Sequence, residues 1–164
     1  MYRKQLIATN KNTVNFIILL IVLFGFITIL FPLVLMYIVP QSGIGNYFIN
    51  NLIYVFISVL VPIYFVYTGI YYYKIKIDSY VINITSYRKI AILFQRNDFI
   101  DIPHNMLKGY AIFNRSFTLN KTLMLKIETD SKKIIAKRFN LSLLSKREEE
   151  KISKVLGKII ANNK

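Results

Sequence analysis

The chain has 164 residues, no cysteine, and 22 basic against 8 acidic residues, so its net charge is +14. This length allows one small domain beside any membrane segment. The absence of cysteine excludes disulfides, thiolate nucleophiles and cysteine-based metal sites. The positive charge fits two kinds of partner, a nucleic acid or the anionic face of a membrane.

The chain begins with a short basic segment, residues 1–12, which contains Arg3, Lys4 and Lys11. From Asn12 to Tyr73 there is then no Asp, Glu, Lys, Arg or His. A charge at the centre of a bilayer costs roughly 2.5–3.5 kcal/mol, whereas a soluble segment of this length needs charged groups. The stretch predicts a membrane part, and it favours a lipid surface over a nucleic acid as the basic domain's partner.

Residues 13–73 are predicted to form a transmembrane helical hairpin with spans at about 13–39 and 51–73. The first run is too long for the apolar region of a signal peptide. Proline in a helix removes a backbone hydrogen bond, so kinks are expected at Pro32 and Pro62. The connection between the spans is too short for a domain and is rich in turn residues, namely Pro40, Ser42, Gly43 and Gly45.

Basic residues flank the two spans on one side only. Lys74 and Lys76 follow the second span, and the loop between the spans is uncharged. Positive residues stay on the cytoplasmic side, which predicts a multi-pass protein of the inner (cytoplasmic) membrane with both termini in the cytoplasm. Tyr71, Tyr72 and Tyr73 are expected to form an aromatic belt at the inner interface.

Residues 74–164 are predicted to form a cytoplasmic domain of short antiparallel strands, because apolar residues there alternate with polar ones. Tyr80–Thr85 is the first such strand, Ser86–Lys89 a turn, and Ile90–Phe94 its partner. Phe99–Pro103 and Gly109–Asn114 are further extended segments. The clearest hairpin joins Leu123–Glu128 to Lys133–Phe139.

The last segment, about 145–161, is predicted to be an amphipathic helix that caps the sheet. Ser145 and Glu148 have the spacing of a capping box. Apolar residues then recur at helical spacing, at Ile152, Val155, Leu156, Ile159 and Ile160. The predicted fold class is therefore a membrane α-helical hairpin plus an α+β domain.

This order of elements resembles the bacterial pleckstrin-homology-like membrane proteins, and the YcxB-like group in particular, in which a transmembrane hairpin precedes such a domain. The resemblance is carried by Tyr72–Thr85, by the hairpin Leu123–Phe139, and by Phe139–Ser142 before the helix at Ser145. It covers the whole chain as an order of elements. It implies a strongly bent antiparallel sheet capped by one helix, and it supplies no catalytic residue.

Nothing in the sequence has the pattern of an enzyme. His104 is the only histidine and is expected to lie in a surface loop, without the neighbours that a metal or a catalytic base needs. Asp98 and Asp101 are expected around a turn, where Asp bonds the local backbone. We predict no catalytic residue, no cofactor and no metal.

Basic residues are the candidate contact site of the domain. In a curled sheet, the turns that carry them are expected to converge on one rim and meet anionic headgroups or a partner: Arg88, Lys89, Lys132, Lys133, Lys137 and Arg138. The alternative is a solvated basic surface that prevents aggregation.

The predicted function is non-enzymatic binding. The protein would act as an adaptor that presents its domain to a protein partner or to anionic lipid, either alone or as a homo-oligomer. The alternative is an accessory subunit of a larger membrane complex for transport, secretion or defence, held mainly through its helices. No nucleic acid is expected as a partner.

Overall fold

A computed structural model describes residues 5–38, 43, 46, 50, 52–90 and 97–163. The chain divides into two compact units. One is helical and comprises Asn15–Thr68. The other combines the described residues up to Val14 with those from Gly69 onward, so it is assembled from both sides of the helical segment.

The helices before the domain begin with α1 (Lys11–Gly25), which continues through a π-helical turn (Phe26–Leu30) into α2 (Phe31–Ile38). Pro32, where a kink is predicted, is the second residue of α2 and follows the π-helical turn directly after Phe31. Helix α3 spans Leu52–Thr68 and contains Pro62. The predicted loop residues Pro40, Ser42 and Gly45 lie outside the described residues.

One helix among the described residues is long and apolar enough to cross a membrane. It is the 20-residue stretch Lys11–Leu30, near the N-terminus, which contains an 18-residue window with a mean hydropathy of 2.7. The second predicted span corresponds to α3, which has 17 residues and is shorter than that prediction. The two-span hairpin therefore stays a prediction.

The end of the predicted second span is wrong. Gly69, at φ +73°, follows α3, and Tyr71–Ile77 is strand β2 rather than helix. Tyr71, Tyr72 and Tyr73 therefore belong to a sheet rather than to the end of a helix, and Tyr73 is fully buried in the core. An uncharged run has the same composition in a buried strand as in a membrane helix, which is why the boundary was misplaced.

The first sheet has the order β1-β2-β3-β4 with every neighbouring pair antiparallel. Its first strand, β1 (Leu6–Thr9), precedes the helices and pairs with β2. The N-terminal residues were predicted as a separate segment and the domain as beginning at Lys74. Both predictions are corrected, because the helical segment is an insertion between two paired strands of the domain.

The next strand of this sheet is longer than the alternation predicted. Strand β3 covers Val81–Arg88, so the predicted turn at Ser86–Lys89 is wrong. Its partner is β4 (Asn97–Pro103) and not the predicted strand Ile90–Phe94. Ile90 lies in a bend, and the rest of that predicted strand lies outside the described residues.

The second sheet has the order β5-β6-β7 and is also antiparallel. A short 3₁₀ turn (His104–Met106) leads into β5 (Leu107–Asn114). Strands β6 (Asn120–Glu128) and β7 (Ile134–Ser142) confirm the predicted hairpin. Both β2 and β3 approach β7, which brings the two sheets together.

Helix α4 (Lys146–Asn162) completes the domain and confirms the predicted C-terminal helix. The predicted capping box is present, since Ser145 Oγ accepts a hydrogen bond from the Glu148 amide and the Glu148 carboxylate accepts one from the Ser145 amide. One apolar core joins the two sheets and α4. Its fully buried members include Tyr73, Ile75, Ile82, Ile84, Leu123, Leu125, Phe139, Leu141, Ile152 and Leu156.

Candidate functional site

The helical segment is attached to the domain at two neighbouring points, Asn10 and Gly69, and we call this the attachment end. Asn10 is 4% exposed. Its Nδ2 donates to the Tyr71 carbonyl at 2.9 Å and to the Ser142 carbonyl at 2.8 Å, while its Oδ1 accepts from the Tyr73 amide at 2.9 Å. One amide side chain thus joins β1, β2 and β7 where the chain leaves the domain.

A second set of buried hydrogen bonds holds the point of return. Asn120 Nδ2 donates to the Gly69 carbonyl at 3.1 Å, and Asn120 Oδ1 accepts from the Ser142 hydroxyl. That hydroxyl oxygen also accepts from the Tyr71 amide at 2.7 Å. Because buried polar groups are costly when unpaired, these contacts position both attachment points firmly.

A cleft of about 930 Å³ lies on the outer face of the second sheet and extends to the beginning of β4. Inward-facing residues of β6 and β7, such as Leu123 and Phe139, fill the core, so the alternate residues point outward. The cleft is lined by Asp98, Phe113, Arg115, Thr122, Met124, Ala136, Arg138 and Asn140. Lys137 also lines it, although it lies on the same side of β7 as Phe139, because its side chain extends to the Phe99 carbonyl.

The charges of the cleft favour an anionic ligand. Arg115, Lys137 and Arg138 outnumber the single carboxylate of Asp98. Lys137 Nζ donates to the Phe99 carbonyl and lies 5.9 Å from the centre of the Phe139 ring. The other two cations, Arg115 and Arg138, lie at the protein surface, where opposite charges attract each other more strongly than in bulk water.

The lining of the cleft also has apolar and neutral polar groups. Phe113 and Met124 supply an apolar surface, and Thr122 Oγ1 donates to Asn140 Oδ1 at 3.2 Å. This combination suits a ligand that has both negative charge and apolar side chains, such as an acidic peptide segment.

The predicted basic residues do not converge on one rim. Arg88 and Lys89 lie at the attachment end, where the Lys89 amide donates to the Ile70 carbonyl at 2.8 Å. Lys132 and Lys133 lie in the β6–β7 turn, beyond Glu128 at the opposite end of the second sheet. Strand β6, from Asn120 to Glu128, separates the two groups by roughly 26 Å at about 3.3 Å per residue.

Two of the six predicted residues do lie together in the cleft, namely Lys137 and Arg138. Arg115 and Phe113 were missed, although they belong to the same cleft. The alternation within β6 and β7 indicates which residues face outward, but only the pairing of Phe113 with Thr122 brings β5 beside them. That register depends on a β-bulge between Leu107 and Gly109, which the sequence pattern does not indicate.

His104 and the two aspartates are placed differently from the predictions. The His104 amide donates to the Tyr80 carbonyl at 2.9 Å, and its Nε2 is buried without a hydrogen-bond partner among the described residues. Burial lowers the pKa of His104. Asp98 and Asp101 lie in β4, opposite Ser86 and Asn83, rather than around a turn. The described residues contain no group of three or more His, Asp or Glu that could hold a metal ion.

No protein-family model, no curated protein and no solved structure matches this chain.

Proposed function

We propose that this protein is a non-enzymatic, multi-pass protein of the inner membrane that holds its basic domain at the cytoplasmic membrane face as an adaptor. The observation that carries the proposal is the insertion of an uncharged helical segment between the paired strands β1 and β2. A domain attached at both ends of such a segment is tethered twice. It is therefore restricted to the surface in which the segment is embedded.

The surface of the helical unit supports the membrane part of the proposal. Large apolar side chains are exposed along α1 and α3, among them Phe16, Leu23, Phe56 and Ile63. Exposed apolar area of this extent is unfavourable in water and favourable in lipid. Thr28 and Thr68 donate their hydroxyls to backbone carbonyls one turn earlier, at 2.7 and 2.9 Å, which is how hydroxyls are satisfied in hydrocarbon.

The arrangement of strands supports a pleckstrin-homology-like domain. Four antiparallel strands, then three, then one capped C-terminal helix over a shared core are the elements that the resemblance implies. This protein adds one feature to the likeness with the YcxB-like group, namely strand β1, which precedes the helices in the chain and pairs with β2. The fold class alone assigns no ligand.

The cleft supports a protein as the principal partner. Its net positive charge and its apolar lining fit an acidic peptide segment, and Lys132 and Lys133 lie too far away to share in it. Anionic lipid is the competing ligand, because basic residues near a membrane gain about 1 kcal/mol each from anionic headgroups.

Site-specific photo-cross-linking in native membranes tests the adaptor function. A photoreactive residue at Met124, in the cleft, is expected to capture a protein that one at Lys132 does not, and Arg138→Gln should reduce the yield. Lys133→Gln is the matched control. If the residue at Met124 captured lipid alone, the ligand of the cleft would be a lipid headgroup and not a protein. Equal yields of captured protein at Met124 and Lys132 would show that the cleft is not the binding site.

A second candidate function, an accessory subunit held through its helices, is favoured by a specific groove. Ile17, Leu20, Phe24 and Val61 contribute to an apolar depression of about 460 Å³ between α1 and α3, which has the lining that a partner's transmembrane helix requires. In the same experiment, a photoreactive residue at Phe24 that captures a protein, when one at Met124 does not, would favour this function over the adaptor.

A further inference from the structure

We infer that the β5–β6 turn, Arg115–Leu119, inserts the Phe117 side chain into the lipid interface. This rests on the proposed membrane attachment and adds a second point of contact, made by the domain itself. Phe117 stands at the tip of the turn and is 96% exposed. Exposure of a phenylalanine side chain to this degree is unfavourable in water and favourable at a membrane surface.

The position of the turn is fixed by its neighbours. Asn120, the first residue of β6 after the turn, donates from Nδ2 to the carbonyl of Gly69, which directly follows α3. The Leu143 amide donates to the Leu119 carbonyl at 2.9 Å. Phe117 is thus three positions before a residue that contacts Gly69, where the chain returns from the helical segment. A membrane that takes up α3 as far as Thr68 lies within reach of this turn.

The turn is held rigidly by its own hydrogen bonds. The Arg115 amide donates to the Asn120 carbonyl at 3.2 Å, and the Thr118 amide donates to the Arg115 carbonyl at 3.3 Å. The Asn120 amide donates in turn to Thr118 Oγ1 at 3.2 Å. The exposure of Phe117 is therefore a property of a defined turn.

The backbone of Phe117 points to the same conclusion. Its φ is +57°, in the left-handed region, which costs an ordinary side chain about 1–2 kcal/mol. Glycine or asparagine would relieve that strain, yet the position holds an aromatic residue. Backbone strain at an exposed position is consistent with a functional role for the side chain, which here is contact with lipid.

The residues around Phe117 complete a surface suited to anionic lipid. Leu119 adds a second exposed apolar side chain, and Arg115 stands at the start of the turn. Lys89, held by its amide to Ile70, places a further cation at the attachment end. Apolar side chains flanked by cations match an interface of acyl chains beneath anionic headgroups. The occupant is therefore a lipid surface.

Tryptophan fluorescence can test the insertion, because the chain contains no tryptophan and one introduced residue is the only such fluorophore. The full-length Phe117→Trp variant is reconstituted in vesicles of phosphatidylcholine and phosphatidylglycerol, with and without bromine on the acyl chains. Insertion predicts that its emission shifts to shorter wavelength and is largely lost in the brominated vesicles.

Two control variants make the outcome decisive. Tyr80→Trp replaces an aromatic residue that is 81% exposed in the β2–β3 turn, at the end of the domain opposite Gly69, and it should keep its emission. Phe24→Trp lies within the candidate span Lys11–Leu30 and reports whether the helices enter the bilayer. Quenching at Phe24→Trp with none at Phe117→Trp would overturn this inference alone. If neither Phe24→Trp nor Phe117→Trp is quenched, the proposed membrane attachment is overturned as well.

The use of pure lipid vesicles separates lipid insertion from docking on a protein. In pure vesicles no other protein is present, so quenching at Phe117→Trp assigns the contact to lipid. If Phe117→Trp is quenched no more than Tyr80→Trp in pure vesicles, the turn does not enter lipid and the inference is overturned.

Discussion

Asn10 and Ser142 are separated by 132 positions in the chain, yet Asn10 Nδ2 donates a buried hydrogen bond to the Ser142 carbonyl at 2.8 Å. The same amide group contacts Tyr71 and Tyr73 on β2. The residue before the helical segment is thereby joined to the first strand after it and to the last strand of the domain. A segment predicted from its sequence to be a short cytoplasmic tail is instead part of the folded domain.

The Asn10 contacts predict a large effect of an isosteric substitution. Asn10→Asp should lower the free energy of unfolding by about 3 kcal/mol, because a carboxylate cannot donate to the Tyr71 and Ser142 carbonyls and is buried against them. Denaturant titration of the full-length protein in detergent, followed by circular dichroism, measures this. Asn114→Asp, at an exposed position of β5, should change stability by less than about 0.5 kcal/mol. Similar values for both variants would contradict the role given to Asn10.

The insertion of the helices predicts how the domain can be isolated. A fragment that begins at Lys74 lacks β1 and the buried side chain of Tyr73, so it should fail to give a cooperative unfolding transition. Residues 5–14 joined by a short Gly/Ser linker to residues 69–163 retain every strand of both sheets and should unfold cooperatively. Thermal denaturation compares the two. A stable fragment starting at Lys74 would show that β1 is dispensable.

Gly69 is predicted to be sensitive to substitution because of its conformation and its surroundings. Its φ is +73°, and an added Cβ would lie 2.8 Å from Arg88 Nε and 3.1 Å from the Tyr71 ring. Gly69→Ala should therefore destabilise the domain by about 1–2 kcal/mol. Gly157→Ala is the matched control, because it lies within α4 with no atom near the added methyl group, and should stabilise by about 0.5–1 kcal/mol. The two alanines thus have opposite expected signs in one chemical denaturation experiment.

Because the Tyr73 side chain is buried, we expect the protein to lose stability in alkaline solution. Burial, reinforced by the nearby Glu148 carboxylate, raises the pKa of Tyr73 well above its ordinary value of 10.0. Below that value both the folded and the unfolded chain keep the phenol protonated. Above it the unfolded chain releases the proton while the folded chain retains it, so stability is lost as the pH rises from 10.0 towards the higher folded pKa.

Tyr73→Phe isolates this contribution. The Tyr73 hydroxyl has no hydrogen-bond partner among the described residues, so at neutral pH the variant should differ from the wild type by less than about 1 kcal/mol. Above pH 10.0 the variant should become the more stable of the two. Tyr80→Phe, at an exposed position, should follow the wild type throughout. A constant difference between Tyr73→Phe and wild type across the alkaline range would contradict the assignment.

Parts of the fold could be predicted because their signals are local. The capping box of Ser145 and Glu148 needs only three residues of spacing, and the β6–β7 hairpin needs only alternation on either side of a turn. The boundary at Tyr71 could not be predicted in this way. The first three residues of β2, Tyr71–Tyr73, are uncharged and aromatic, and no feature of their composition separates them from the end of an apolar helix.

The candidate site was predicted only in part, for a related reason. Lys137 and Arg138 were identified from their charge, but Arg115 becomes their neighbour only through the register of β5 against β6. Lys132 and Lys133 were grouped with Arg88 and Lys89, although the length of β6 separates them. Charge can be read along the chain, whereas the distance between charges depends on which strands pair.

The amino-acid sequence by itself determined that residues 12–73 are free of charge, that a basic domain follows, and that a capped helix ends the chain. These are properties of composition and of neighbours a few positions apart. Only the tertiary structure decided that β1 completes the first sheet, and that Asn10 and Gly69 attach the helices at one end of the domain. The physical reason is that hydrogen bonds between strands join backbone groups, which are the same in every residue except proline. The pairing of β1 with β2 across the helical segment therefore has no local pattern in the sequence from which it could be predicted.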